Sequence, residues 1–303
     1  MFSFFANIFG YLLNFIYNFV NNYGLAMIIF TLVIKLVMLP LSIKQQKMLK
    51  KSSKLQEKMK ILQFKYKNDP EKLNQEMMNL YKEEKMNPFS GCFSTIIQFI
   101  LLISIFYMVR CPLTYMKKVD TETINSYVQQ LKDDEKQVSA AYPEIDIIRE
   151  IDYLKEKNPD DENLKNLSFN MNFLGLDLSK IPQQNLGDWT VYIIPVLYIL
   201  SSFVSIKLTT KMQKTGTKNS NSVIDITEDA KKEDKKLVKV EETPAEEEYD
   251  AMEQTNKMMS WMMPIMSVSI SLVAPLGLAL YWLVNNITMI LERVILNKLI
   301  KDE

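Results

Sequence analysis

Lys35 stands at the middle of FTLVIKLVMLP, residues 30–40, where every other side chain is apolar except Thr31. An ammonium in such a run can do one kind of chemistry: it attracts anionic or polar groups into an apolar region. Thr31 lies one helical turn earlier and shares its face. Other apolar stretches contribute neutral polar groups, among them Gln98, Ser104, Ser201, Ser202, Ser205, Ser267, Ser269, Ser271, Asn285 and Asn286. Each of these is, taken alone, a residue of the kind that bonds across membrane helices. Together they suggest a polar groove around one charge. Covalent chemistry has little to work with. The chain has no histidine and only two cysteines, Cys92 and Cys111. Those cysteines lie at opposite ends of one apolar segment, about 28 Å apart by helix rise, too far for a disulfide. They read as small packing residues, and no metal or cofactor is expected.

The elements that would position Lys35 are membrane helices. Apolar residues make up 48% of the 303 and are gathered into blocks. Windows of about 19 residues mark Gly24–Ile43, Phe89–Val109, Trp189–Ile206 and a double-length run from Met258 to Leu291. That last run is too long for one crossing, and Pro275-Leu276-Gly277 is the expected break. The reading is an all-α integral membrane protein with five transmembrane helices, 24–43, 89–110, 189–206, 258–274 and 276–292. At mid-span, Lys35 is too deep for its side chain to reach an interface, and a charge there costs at least about 2.5 kcal/mol. The other spans offer no acid, since Glu292 falls at the end of the last. A hydrated recess around an unpaired lysine is therefore expected.

Charge orients the spans. Residues 44–88 carry twelve lysines against six acidic residues, and 111–188 carry nine basic against fifteen acidic residues. Lysine-rich flanks stay in the cytoplasm, which gives an outer N-terminus, an inner C-terminus and a cytoplasmic tail at 293–303. Residues 1–23 place Asn7, Asn14, Asn18 and Asn21 on one helical face opposite Phe and Leu. This suits an outer interfacial helix, with a further span or uncleaved anchor as the alternative. No basic leader region or lipid-attachment cysteine is present, so cleavage is not expected.

Residues 44–88 read as a cytoplasmic helical hairpin, with Asp69 as N-cap and Pro70 at the first helical position of the second arm. Met59, Met77, Met78 and Tyr81 are its candidate docking residues. Its basic face is either a solvated surface or a docking site for anionic headgroups or ribosomal RNA. Segment 111–188 reads as a small extracytoplasmic helical cap, and 207–257 as a charged linker of disordered composition.

Three stretches carry a family resemblance. YGLAMIIFTLVIKLVMLPLSIKQ, KNDPEKLNQEMMNLYKEEKMNPFSGCF and MMPIMSVSISLVAPLGLALYWLVNN closely resemble the YidC membrane-protein insertases, relatives of the mitochondrial oxidase-assembly insertase. The resemblance covers roughly 23–110 and 189–299. It implies a non-enzymatic insertase and chaperone of the bacterial plasma membrane, with a groove closed to the outside but open to lipid and cytoplasm. By motif Lys35 matches the groove arginine, Thr31 the polar residue a turn before it, and Trp282 the second aromatic of the LYW or LYY client-contact motif. With Gln98, Ser104 and Asn285 these form the expected client-binding groove. Implied partners are nascent membrane proteins, the ribosome and signal recognition machinery, the Sec translocon and the lipid bilayer, but not DNA. Lysine in place of arginine keeps the charge and loses the planar fork. Segment 111–188 is longer than expected of Gram-positive members, which the five-span pattern otherwise resembles. A small-solute transporter or channel is the alternative, though neither internal repeats nor acidic coupling residues are evident.

Overall fold

The computed structural model describes residues 2–66, 69–84, 90–217 and 269–300. It is mostly helical, and among the described residues four helical stretches are long and apolar enough to cross a membrane: Phe2–Val20, Tyr23–Met48, Trp189–Leu208 and Leu276–Leu299. Ile96–Arg110 is a shorter apolar stretch. Most of the expected span 258–274 and of the linker 207–257 lies outside the described residues.

The chain forms two compact units, one of Met1–Leu39, Thr95–Ser202 and Met266–Glu292, the other of Pro40–Ser94, Phe203–Ile265 and Arg293–Glu303. In the first unit, α1 (Phe2–Val20) buries Phe9, Leu13, Ile16 and Tyr17. It exposes Phe4, Ile8, Tyr11, Phe15 and Phe19, a second apolar stripe at spacings of three and four residues. The asparagines fall between these stripes, so the helix has three faces where the sequence pattern suggested two. Gly10 allows the close approach: a Cβ there would sit 2.1 Å from the Tyr115 carbonyl oxygen.

Helix α2 (Tyr23–Lys65) contains Pro40 and continues into what the sequence divides between a span and a hairpin arm. Helix α4 (Ser90–Arg110) follows α3 (Pro70–Glu83). The connecting segment then packs five short helices, α5 (Pro112–Tyr115), α6 (Thr121–Asp133), α7 (Pro143–Arg149), α8 (Ile151–Lys157) and α9 (Glu162–Asn166), with an antiparallel pair β1 (Asn172–Phe173) and β2 (Leu176–Asp177). Their apolar faces supply much of the core, including Leu131, Ile147, Leu154, Leu164 and Leu178, each nearly inaccessible to solvent.

Two buried acids inside this segment have partners, as burial favours. Glu144 accepts hydrogen bonds from the Thr114 amide at 3.0 Å and the Thr114 hydroxyl at 2.6 Å, closing the first turn of α5 from another helix. Burial raises its carboxyl above the usual carboxylate range despite those bonds. Asp146 is fully buried, pairs with Arg149 at 2.8 Å and accepts from the Ser139 amide at 2.6 Å; burial raises its carboxyl as well.

The same segment closes the starts of two long helices, whose first N–H groups have no partner within the helix. The Tyr23 amide donates to Asn170 O at 2.9 Å. At α11 (Leu276–Leu299), the Leu276 and Gly277 amides donate to Lys180 O and Leu178 O, each at 2.9 Å. Tyr23 packs against Gly277, where a Cβ would lie 3.2 Å from its ring. Helices α2 and α11 therefore begin at one level. Between them in sequence, α10 (Ile193–Thr217) runs past residue 206, and Ala274 with Pro275 breaks the helical path before α11.

In the second unit, Asp69 caps α3 by accepting from the Lys72 amide at 3.1 Å, and Pro70 occupies the first turn. The Tyr81 hydroxyl donates to Met59 Sδ at 3.6 Å, and Lys58 pairs with Glu84.

Candidate functional site

Because α2 and α11 start level, a position twelve residues into α2 lies within side-chain reach of one sixteen residues into α11, a difference in rise of about 6 Å. Those positions hold Lys35 and Glu292. Lys35 Nζ lies 3.7 Å from Glu292 Oε2, and the two side chains are 24% and 14% exposed. The expectation of an unpaired lysine in a recess without acids is thus corrected. Helix α11 continues seven residues beyond Glu292 to Leu299. That places the carboxylate about 10 Å inside the helix end.

The geometry of the pair is incomplete. At 3.7 Å the contact is ionic but too long for a hydrogen bond. Glu292 Oε1 is buried and accepts no hydrogen bond among the described residues. A half-buried carboxylate in this condition carries part of its desolvation penalty without full return.

Helix α11 presents three faces. Trp282, Asn285, Met289 and Glu292 follow one another at intervals of three, four and three residues, and all four are half-exposed. This is one helical stripe. Leu283 and Asn286 on a second face are buried, and Ile287, Leu291 and Ile295 on a third are exposed. Buried Asn286 donates to Ser201 Oγ at 2.8 Å and to Ser202 Oγ at 3.3 Å, so three of the expected polar residues join α11 to α10. The Trp282 ring lies 6.3 Å from that of Tyr198.

The other expected groove residues divide by exposure. Gln98 is exposed. Thr31 is 1% exposed and donates its hydroxyl to Met27 O at 2.7 Å; Ser104 is fully buried and donates to Ile100 O at 2.7 Å. Both hydroxyls are thereby committed to their own helices, a common state of Ser and Thr within helices. Among the described residues, Lys35 and the stripe residues Trp282, Asn285 and Glu292 stay half-exposed. Sequence reasoning missed Glu292, although its spacing from Trp282 and Asn285 places it on their face.

The hairpin candidates also separate. Met59, Met77 and Tyr81 are half-buried, whereas Met78 is 59% exposed. Beside the Met59–Tyr81 seam lies an open recess of about 270 Å³ lined by Lys58, Ile61, Leu62, Glu76, Leu80 and Glu83.

A protein named "Membrane protein insertase YidC" from Caldanaerobacter subterraneus subsp. tengcongensis is 46% identical over 101 residues, which are 33% of this chain and 49% of that protein. One of the same name from Francisella tularensis subsp. novicida is 44% identical over 108 residues, 36% of this chain and 20% of that protein. The chain thus spans about half the length of the first relative and a fifth of the second. The profile of the family described as 60Kd inner membrane protein matches residues 15–303, which take in α2 to α11 and the end of α1. On that match, which takes in nearly the whole chain, the protein belongs to the 60Kd inner membrane protein family.

Proposed function

We propose that this protein is an insertase and chaperone of the bacterial cytoplasmic membrane, receiving short polar segments of nascent membrane proteins in the stripe around Lys35 and releasing their apolar parts into lipid. The observation that carries this reading is the half-exposed row Trp282, Asn285, Met289 and Glu292, whose last member faces Lys35, set among helices that expose large apolar residues such as Leu36, Phe99, Leu200 and Leu291. A polar stripe at that depth shortens the apolar distance a translocating segment must cross.

Five spans run from an outer N-terminus to an inner C-terminus. Segment 111–188 caps them outside, and the hairpin meets ribosome, signal recognition machinery or anionic headgroups inside. The Sec translocon is a partner for larger clients. Helix α1 lies in the outer interface: Lys118 binds Asn7 at 2.8 Å, and Tyr17 Oη accepts from the Asn170 amide at 2.8 Å, tying it to the cap at two points along its length.

The test places a photo-crosslinker at Asn285 and, as a lipid-facing control, at Leu36, which is 69% exposed. Each variant is offered a ribosome-stalled single-span client in liposomes. Capture at Asn285 but not Leu36, with client insertion dependent on the protein, is expected. Equal capture at both positions would remove the groove from the client path. Client-independent solute flux without insertion would favour a transporter or channel.

A further inference from the structure

We propose that Glu292 is a specificity-determining residue: a built-in counter-ion to Lys35 that admits clients with basic or polar translocated segments and restrains acidic ones. This inference rests on the insertase reading above and deepens it.

The argument begins with net charge. A lone lysine at mid-span favours acidic client groups and repels basic ones. Here a carboxylate oxygen stands 3.7 Å from the ammonium, so the pair as a whole is neutral. An acidic client residue reaching Lys35 must compete with Glu292 for it. A basic client residue finds a carboxylate it can pair with.

Geometry then makes exchange feasible. The Lys35–Glu292 contact is longer than a hydrogen bond, and Glu292 Oε1 is buried with no donor among the described residues. That oxygen is better satisfied by a client ammonium, hydroxyl or amide than in the resting state. Both charged side chains retain partial exposure, so they are reachable from the stripe that Trp282 and Asn285 extend. A fully buried pair joined by a hydrogen bond would resist such exchange; these two side chains share no hydrogen bond with each other and keep partial exposure. Thr31 and Ser104 do not offset the effect, since their hydroxyls are bonded to their own helices.

The experiment uses the full-length protein in liposomes and three single-span clients that differ only in the translocated tail, which carries two Asp, two Lys or two Ser. Insertion is scored relative to the Ser client for wild type, E292Q and E292D. In E292Q the Asp client is expected to gain, and the Lys client to lose, so that the Asp-to-Lys insertion ratio rises about tenfold, the change of one displaced ionic contact worth about 1.4 kcal/mol. E292D, which keeps the charge, is expected to stay near the wild-type ratio. A uniform fall for all three clients in E292Q, with the ratio unmoved, would assign Glu292 to helix packing and overturn the inference alone. Failure of wild type to insert any of the clients would overturn the insertase reading, and this inference with it.

Discussion

Neutralising one member of the Lys35–Glu292 pair should damage the protein more than neutralising both. At 3.7 Å and an effective dielectric of about 20, two unit charges attract by about 4 kcal/mol. Partial hydration of both side chains and the lack of a hydrogen bond reduce this to a coupling of about 2 kcal/mol. K35M leaves Glu292 half-buried without its ion-pair partner, and E292Q removes the carboxylate charge that faces the lysine. Each is expected to cost about 2–4 kcal/mol. In K35M/E292Q no charge remains to be desolvated, and the double variant should lie closer to wild type than either single one. The assay is reversible unfolding in mixed micelles, followed by tryptophan fluorescence across the four members of a double-mutant cycle. Additivity within about 0.5 kcal/mol would refute the ion pair as an energetic unit. The cycle also changes how charge reversal is read: K35E sets two carboxylates against each other, so lost insertion in that variant reports repulsion as well as the loss of a groove cation. The swap K35E/E292K separates the two effects.

Three further outcomes follow from the first unit. Gly10→Ala places a methyl 2.1 Å from the Tyr115 carbonyl oxygen; overpacking against backbone should outweigh the gain of about 1 kcal/mol in helix propensity and lower stability by about 2 kcal/mol. Gly187→Ala, where a Cβ meets nothing within 4 Å, is the matched control in the same unfolding assay. Cys111 should be nearly inert to alkylation: burial, then the nearby Glu144 charge, pushes its thiol up to about 12. At pH 8 its rate in a C92S background should fall about a thousandfold below that of an open thiol, and recover on denaturation. Asp188 is held down at about 2 by the Lys180 ammonium at 2.8 Å and by hydrogen bonds from Thr190. Because its folded value is depressed, its stabilisation is complete above about pH 4 and is lost as pH falls toward 2; in a pH series, D188N should remove that part of the acid limb.

Much of the architecture is legible without coordinates because the bilayer imposes a simple rule: a helix that crosses it must be apolar over a fixed length. Runs such as 24–43 and 276–292 obey that rule and are visible in any window. The cap at Asp69-Pro70 is equally local, since one side chain and the next residue's fixed φ suffice to start α3. Helix α1 was harder to read. Its asparagine stripe is real, but which of two flanking apolar faces is buried depends on Tyr115 and Phe169, residues more than a hundred positions away.

The chain by itself determined that a charge lies deep among apolar helices, which helices those are, and which neutral polar residues share them. Those facts follow from composition and period within single segments. Tertiary structure alone decided what surrounds the charge. Tyr23 and Gly277 align two helix starts, the connecting segment fixes both with backbone hydrogen bonds, and this brings Glu292 to Lys35 across 257 positions of sequence. It also turned Thr31 and Ser104 inward. Helical periodicity states which side of a helix a residue occupies, but only packing against other helices decides what that side meets.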